Sequence, residues 1–320
     1  MVDCQWSLGC SAVVDTYFNN ETQMKKQALG LLLIALLSGC SEPQKPFRNA
    51  DAIADHGELF CFEHGINEFD LAMDGNDYLL FSHEFDTGDT KVRRATTVDG
   101  LAQAVPVSVL PGRFPTVFQA DGRWHAWVYD ATAGMTDHYV ADRWDGPYQR
   151  LQNTGIRAAD WHVRRNPADG LYYATYKSID SLFAGLARAE DPAGPWEDLG
   201  WIFDEQPRAG WHSYEEADPA IFFRKGHAYV LFAGWNTRSP ATDGGLQRIG
   251  VVELDMKRFR VKGPATILIE PKQAWQRRGN STKVFNPVFM ETPQGERIFY
   301  AHNPSARGIC AGFGVADVVK

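Results

Sequence analysis

Asp218-Pro219-Ala220-Ile221-Phe222, then Lys225-Gly226, then Tyr229-Val230-Leu231-Phe232, is the stretch that decides the fold. A polar residue and a proline open a short apolar strand. A Gly-containing pair turns the chain, and an aromatic-rich strand returns. Lys-Gly, like Asp-Gly, supplies the positive φ that a tight hairpin needs. The same phrase recurs along the chain. Asn286-Pro287-Val288-Phe289 turns near Gly295 into Ile298-Phe299-Tyr300-Ala301-His302. Asp160-Trp161-His162-Val163 turns at Asp169-Gly170 into Leu171 to Tyr176. Phe114-Pro115-Thr116-Val117-Phe118 turns at Asp121-Gly122 into Trp124 to Tyr129. Asp70-Leu71-Ala72-Met73 turns at Gly75-Asn76-Asp77 into Tyr78-Leu79-Leu80-Phe81.

Openers at 70, 114, 160, 218 and 286 are spaced as four-stranded blades, the later ones with loop insertions. There is little helical periodicity after the N-terminal region, and strand signals of four to seven residues dominate. The expected fold is all-β, a five-bladed β-propeller. A β-sandwich also yields many short strands, but it does not call for one polar opener per repeat. In a ring the openers meet at one funnel, so carboxylates scattered along the chain converge. Two further phrases, Asp145-Gly146-Pro147-Tyr148 and Asp191 to Trp196, close the second and third units as outer-blade turns.

The chain has 320 residues, of which 44% are hydrophobic and 12% aromatic, enough for a large packed domain. Its formal net charge of −8 argues against a nucleic-acid partner. Near the N-terminus, Met24-Lys25-Lys26-Gln27 precedes an apolar run from Ala28 to Leu37 and then Ser38-Gly39-Cys40. This is the pattern of a signal segment, too short to span a membrane. Leu37 to Cys40 resembles the bacterial lipoprotein box, which implies that Cys40 is lipidated. The expected organisation is a spurious extension over 1–23, a signal peptide over 24–39, a tether over 40–56 and the propeller over 57–320. The expected location is the bacterial cell envelope, lipid-anchored, on the outer membrane. Cys61 and Cys310 lie near the two ends of the propeller. In an oxidising compartment they can pair and lock the ring, or remain as two buried thiols.

With the openers placed, the sequence resembles the five-bladed propeller glycosidases, above all glycoside hydrolase family 43. Fructan hydrolases and anhydrogalactosidases share the fold more distantly. The resemblance covers roughly 57–320. It rests on Asp70, Asp160, the Gly194-Pro195-Trp196 phrase, and Glu216 to Phe222 with Gly226 and Tyr229. It implies a base on blade one, a tuning aspartate on blade three and a proton donor on blade four. Asp70 then takes the base role and Asp160 the tuning role. The family's acid position, two before the strand proline, is Ala217 here. Glu216 is favoured as acid, with Asp218 the main rival and Glu215 third. His212 is a fourth candidate by likeness to anhydrogalactosidases. Leu71 also stands where the family has a proline. Each of these acids could instead cap a strand end.

Glycoside hydrolysis needs one carboxyl to protonate the leaving oxygen and one carboxylate to activate water or attack carbon. The expected reaction is inverting hydrolysis of plant or algal oligosaccharides, with arabinose or xylose units the first expectation. The alternatives are an α-1,3-anhydrogalactosidase on agar-type oligosaccharides and a non-catalytic glycan-binding lipoprotein. Candidate substrate contacts are Arg113, Trp161, Trp211, Tyr214, Trp235 and Asn286. No zinc-type cluster, phosphate loop or Gly-x-Ser-x-Gly elbow is present. No cofactor is expected. Some family 43 members hold a central calcium, but the matching position here is Asn286, so no metal is assigned.

Overall fold

The computed structural model describes residues 53–62, 65–84, 88–203, 210–237, 246–280, 282–302 and 310–319. Cys40 and the signal segment lie outside the described residues.

The described strands form five antiparallel sheets arranged as a five-bladed β-propeller. Blade one is β2 (Ile66–Asp74), β3 (Asp77–Glu84), β4 (Thr90–Ala95) and β5 (Ser108–Leu110). Blade two is β6 (Arg113–Ala120), β7 (Arg123–Asp130), β8 (Met135–Ala141) and β9 (Gln149–Asn153). Blade three is β10 (Ala158–Arg165), β11 (Tyr172–Ser178), β12 (Ala184–Ala189) and β13 (Glu197–Trp201). Blade four has β14 (Glu215–Arg224), β15 (His227–Trp235), β16 (Arg248–Asp255), β17 (Arg260–Val261) and β18 (Thr266–Ile269). Blade five is β19 (Phe285–Thr292), β20 (Gly295–His302) and β21 (Ala311–Val318), completed by β1 (Ile53–Phe62) from the other end of the chain.

The inner strands β2, β6, β10, β14 and β19 touch in turn around the ring, and β19 returns to β2. Apolar side chains between neighbouring blades form the core. Phe81, Leu79 and Leu110 pack against Val117, Trp124 and Val128 between blades one and two. Phe232, Val230 and Leu254 meet Leu186 and Tyr173 between blades four and three. Burying one such aromatic ring contributes about 1.5–3 kcal/mol.

Closure is by mixed ancestry, because β1 pairs with β21 from Ile53↔Val318 to Phe62↔Ala311. Residues 53–56 therefore belong to the propeller; the expected tether boundary at 56 runs four residues too far, since β1 begins at Ile53. Cys61 and Cys310 form a disulfide across this seam, Cα–Cα 5.5 Å. Arg278 braces the same seam, pairing with Glu58 at 2.7 Å.

Candidate active site

Each inner strand begins with a bulge, and the bulge aims one side chain at the axis. In β6, β10, β14 and β19 the bulged residue is Phe114, Asp160, Asp218 or Asn286, with φ of 54°, 52°, 49° and 49°. Non-glycine residues rarely adopt this left-handed conformation, so four in one ring mark a shared structural demand. Blade one has its register shift between Ile66 and Glu68. Counting back from the hairpins aligns the strands. Ala120 pairs with Arg123 and Asp74 with Asp77, so Glu68 occupies the place that Phe114 occupies in blade two. The blade-one residue at the hub is thus Glu68. Asp70 lies two residues further in.

Glu68, Asp160 and Asp218 present carboxylate oxygens that all lie within 4.8 Å of one another. The Asp218 amide donates to Asp160 Oδ2 at 3.3 Å, and the Asn286 amide donates to Asp218 Oδ2 at 3.0 Å. Burial and then the neighbouring Asp160 push the Asp218 carboxyl up to about 7. Burial, followed by Asp160 and Asp218, pushes Glu68 well above the ordinary range. Glu68 Oε2 and Asp160 Oδ1 are buried without a hydrogen-bond partner among the described residues.

Lys177, on β11, reaches into this group. Its Nζ stands 2.9 Å from Asp160 Oδ2 and 3.1 Å from Glu215 Oε1. Burial works against its charge, but Asp160 and Glu215 outweigh that and hold it well above the ordinary lysine value. A cleft of about 160 Å³ opens above the hub, lined by Glu68, Lys177, Glu215, Asp218, Trp235 and Lys283 among others. Lys283 Nζ lies 4.7 Å from the Trp235 ring centroid, a cation–π contact at the wall. The three hub carboxylates are spaced as metal ligands could be, but Lys177 Nζ already places a cation against Asp160, which disfavours a divalent ion there.

The expected trio of Asp70, Asp160 and Glu216 does not converge. Asp70 is 1% exposed and accepts hydrogen bonds from Thr116 Oγ1 (3.0 Å), the Val117 amide (2.8 Å) and the Leu71 amide (2.8 Å), with Arg164 Nη2 at 3.5 Å. It ties blade one to blades two and three. Side chains alternate along a strand, so Glu215 faces the cleft while Glu216 turns away. Glu216 is fully buried and accepts from the Ala184 amide at 2.9 Å, with His212 Nδ1 at 3.0 Å from its other oxygen. His212 packs against Phe203 and Phe232 and is absent from the cleft lining.

Among the other candidates, Trp235 lines the cleft. Trp161 is buried in the hub beneath it, packed edge-on to Trp196 at 5.3 Å. Trp211 stacks on Phe232 at 5.1 Å, above Gly234 and Gly250, where a β-carbon would collide with its ring. Tyr214 is half-buried and bonds Trp235 through its backbone. Arg113 is exposed at the start of β6 and does not line the cleft. Asn286 latches blade five to blade one: its amide donates to Phe69 O at 3.0 Å and accepts from the Phe69 amide. Sequence reasoning missed Glu68 and Lys177. The hairpin count could have found Glu68; nothing in the sequence marks Lys177.

Converging carboxyls around a buried ammonium, at the hub of five blades, suit acid–base chemistry at a sugar linkage. Residues 143–295 match the model of glycosyl hydrolases family 43, a stretch that holds Asp160, Lys177, Glu215 and Asp218. The chain is a five-bladed β-propeller, and its stretch 143–295 is similar to the glycosyl hydrolases of family 43. Solved structures resemble it at low identity. An α-L-arabinofuranosidase from Lactobacillus brevis is 14% identical, with 84% of this chain and 93% of that one covered and a TM-score of 0.57. The arabinofuranosidase PaAbf62A of Podospora anserina, in complex with cellotriose, is 10% identical, with 83% and 96% covered and a TM-score of 0.58. A family 43 enzyme of Xanthomonas citri complexed with xylotriose is 15% identical, with 83% and 90% covered and a TM-score of 0.53. At these identities the likeness is one of fold. No curated protein sequence matches the chain.

Proposed function

We propose that the chain hydrolyses arabinose- or xylose-containing oligosaccharides, with Asp218 as proton donor and Glu215 as base. The observation that carries this reading is the Asp218 carboxyl, raised to about 7 inside a cleft it shares with Glu215. A general acid must hold its proton at working pH, and a base must not. Asp218 meets the first requirement through burial and the Asp160 charge. Glu215 lines the same cleft with its carboxylate 3.1 Å from Lys177 Nζ, where it is placed to accept a proton from water.

Asp160 keeps the tuning role. It lies under the Asp218 backbone and raises the Asp218 carboxyl by like-charge repulsion. Glu68, its carboxyl pushed well above the ordinary range by burial, is placed to hydrogen-bond the sugar. Glu215 stands outside the tight group of Glu68, Asp160 and Asp218, beyond the Lys177 ammonium. Inversion needs an acid and base separated by about 6.5–9.5 Å, which admits a water between them. The three hub oxygens are too close for that, so Glu215 is the better partner for Asp218. In the single step, Asp218 gives its proton to the departing oxygen as the glycosidic bond breaks. Glu215 takes a proton from the water that bonds to the anomeric carbon.

The pentose assignment is supported by the arabinofuranosidase and xylotriose-bound structures that share the fold. The agar-type alternative with His212 as acid lacks a comparable observation, because His212 is engaged by Glu216 and lies off the cleft. The test is hydrolysis of aryl arabinofuranosides and xylosides by the purified domain. Turnover that Asp218→Asn abolishes on natural oligosaccharides supports the reading. Binding of those sugars without any turnover by the native protein would instead support a glycan-binding propeller.

A further inference from the structure

A buried lysine is costly unless its charge is compensated. Lys177 has a side chain only 17% exposed, yet it sits at the wall of the cleft rather than in a structural seam. It belongs to β11, the second strand of blade three, and projects past the inner strand. Its ammonium touches Asp160 on β10 and Glu215 on β14. The other charged groups facing it are Glu68 from β2 and Asp218 from β14. Lys283 lines the same cleft and feels the charge of Glu215. One lysine at the hub thus confronts four carboxyls from three blades.

We propose that Lys177 is a positioning residue that decides which carboxyl carries the transferable proton. Its Nζ bridges Asp160 at 2.9 Å and Glu215 at 3.1 Å, so of the two acids on β14 it faces Glu215 directly and leaves the transferable proton to Asp218. It rests on the reading of Asp218 as acid and Glu215 as base. Without the ammonium, four carboxyls share one small cleft, and repulsion spreads the protons over all of them. Glu215 would then hold a proton where it should accept one. A lysine that only fastened blade three to blade four would leave the proton distribution alone once the fold was intact.

The experiment is the pH profile of kcat/KM on an unactivated arabino- or xylo-oligosaccharide, whose leaving oxygen needs a proton, for the native protein, Lys177→Met and Lys177→Arg. Lys177 favours the ionised form of every carboxyl around it, so its removal raises their pKa values. The acidic limb, set by Glu215, is expected to move up by about one to three pH units in Lys177→Met. The basic limb, set by Asp218, is expected to follow by a smaller amount, carrying the optimum to alkaline pH. Lys177→Arg keeps the charge and is expected to keep both limbs, whatever happens to kcat. Should Lys177→Met not fold, Lys177→Gln retains hydrogen bonds to both carboxylates without the charge and is expected to show the same displacement. A folded neutral variant with a lower kcat and unmoved limbs would overturn the proposal and leave Lys177 a fastening residue. Asp218→Asn, measured alongside, separates the two claims. If it retains full rate, the acid assignment is wrong; if it is inactive while the limbs of the neutral variant stay put, only the Lys177 inference is lost.

Discussion

Asp160 and Asp218 differ in role because their surroundings differ, although both are bulged hub residues at positive φ. Asp160 is paired with Lys177 at 2.9 Å, whereas Asp218 receives the Asn286 amide and lies against the Asp160 charge. Removing that charge has a definite sign. Asp160 raises the Asp218 carboxyl, so Asp160→Asn lets it ionise at lower pH. The basic limb of kcat/KM is expected to fall by about one unit, read from the same pH profile. A limb that stayed in place would remove Asp160 from the tuning role. At this scale the sequence was half legible. Asp160 and Asp218 stand at the start of recognisable strands. Glu68 does not, since Asn67-Glu68-Phe69 has neither the proline nor the aspartate of the other openers. Lys177 is legible only once two strands are paired, because its partners are 17 and 38 residues away.

At the level of elements, the inner strands do two jobs with alternate residues. Bulged openers supply the hub, and the next residues pointing sideways fasten one blade to another. Asp70 and Glu216 belong to the second group, which is why their acidity misled a reading based on residue type. Asp70 joins β2 to β6 through Thr116 and Val117 and to β10 through Arg164. Asp70→Ala would leave these buried donors without their acceptor, at a cost of about 3–5 kcal/mol. The expected outcome is a large loss of stability in urea unfolding, with pH limbs unchanged in whatever folded protein remains. A stable but inactive Asp70→Ala would return Asp70 to the catalytic machinery. Period-two patterning could not separate Glu215 from Glu216, since one residue of register reverses which of them faces the cleft.

Across the whole molecule, the ring is closed by pairing β1 with β21 and by the Cys61–Cys310 disulfide, which spans 249 residues of sequence. Such a long loop gives a crosslink much of its stabilising effect through the unfolded chain, on the order of 2–5 kcal/mol. Cys61→Ser with Cys310→Ser is therefore expected to lower the midpoint of thermal unfolding while leaving kcat/KM at low temperature near the native value. An unchanged midpoint would mean that β-pairing alone secures the seam. The fold was the most legible level, because five repeats of strand, turn and strand each report it independently. The site was less so, because its members come from three blades and no single segment holds it. The central claim is that Asp218 protonates the leaving group, and leaving-group dependence tests it most directly. Compared with the native protein, Asp218→Asn is expected to lose about 10²–10⁴-fold in kcat/KM on unactivated pentosides and far less on aryl pentosides whose phenol departs without a proton. An equal loss on both substrates, or no loss on either, would contradict it.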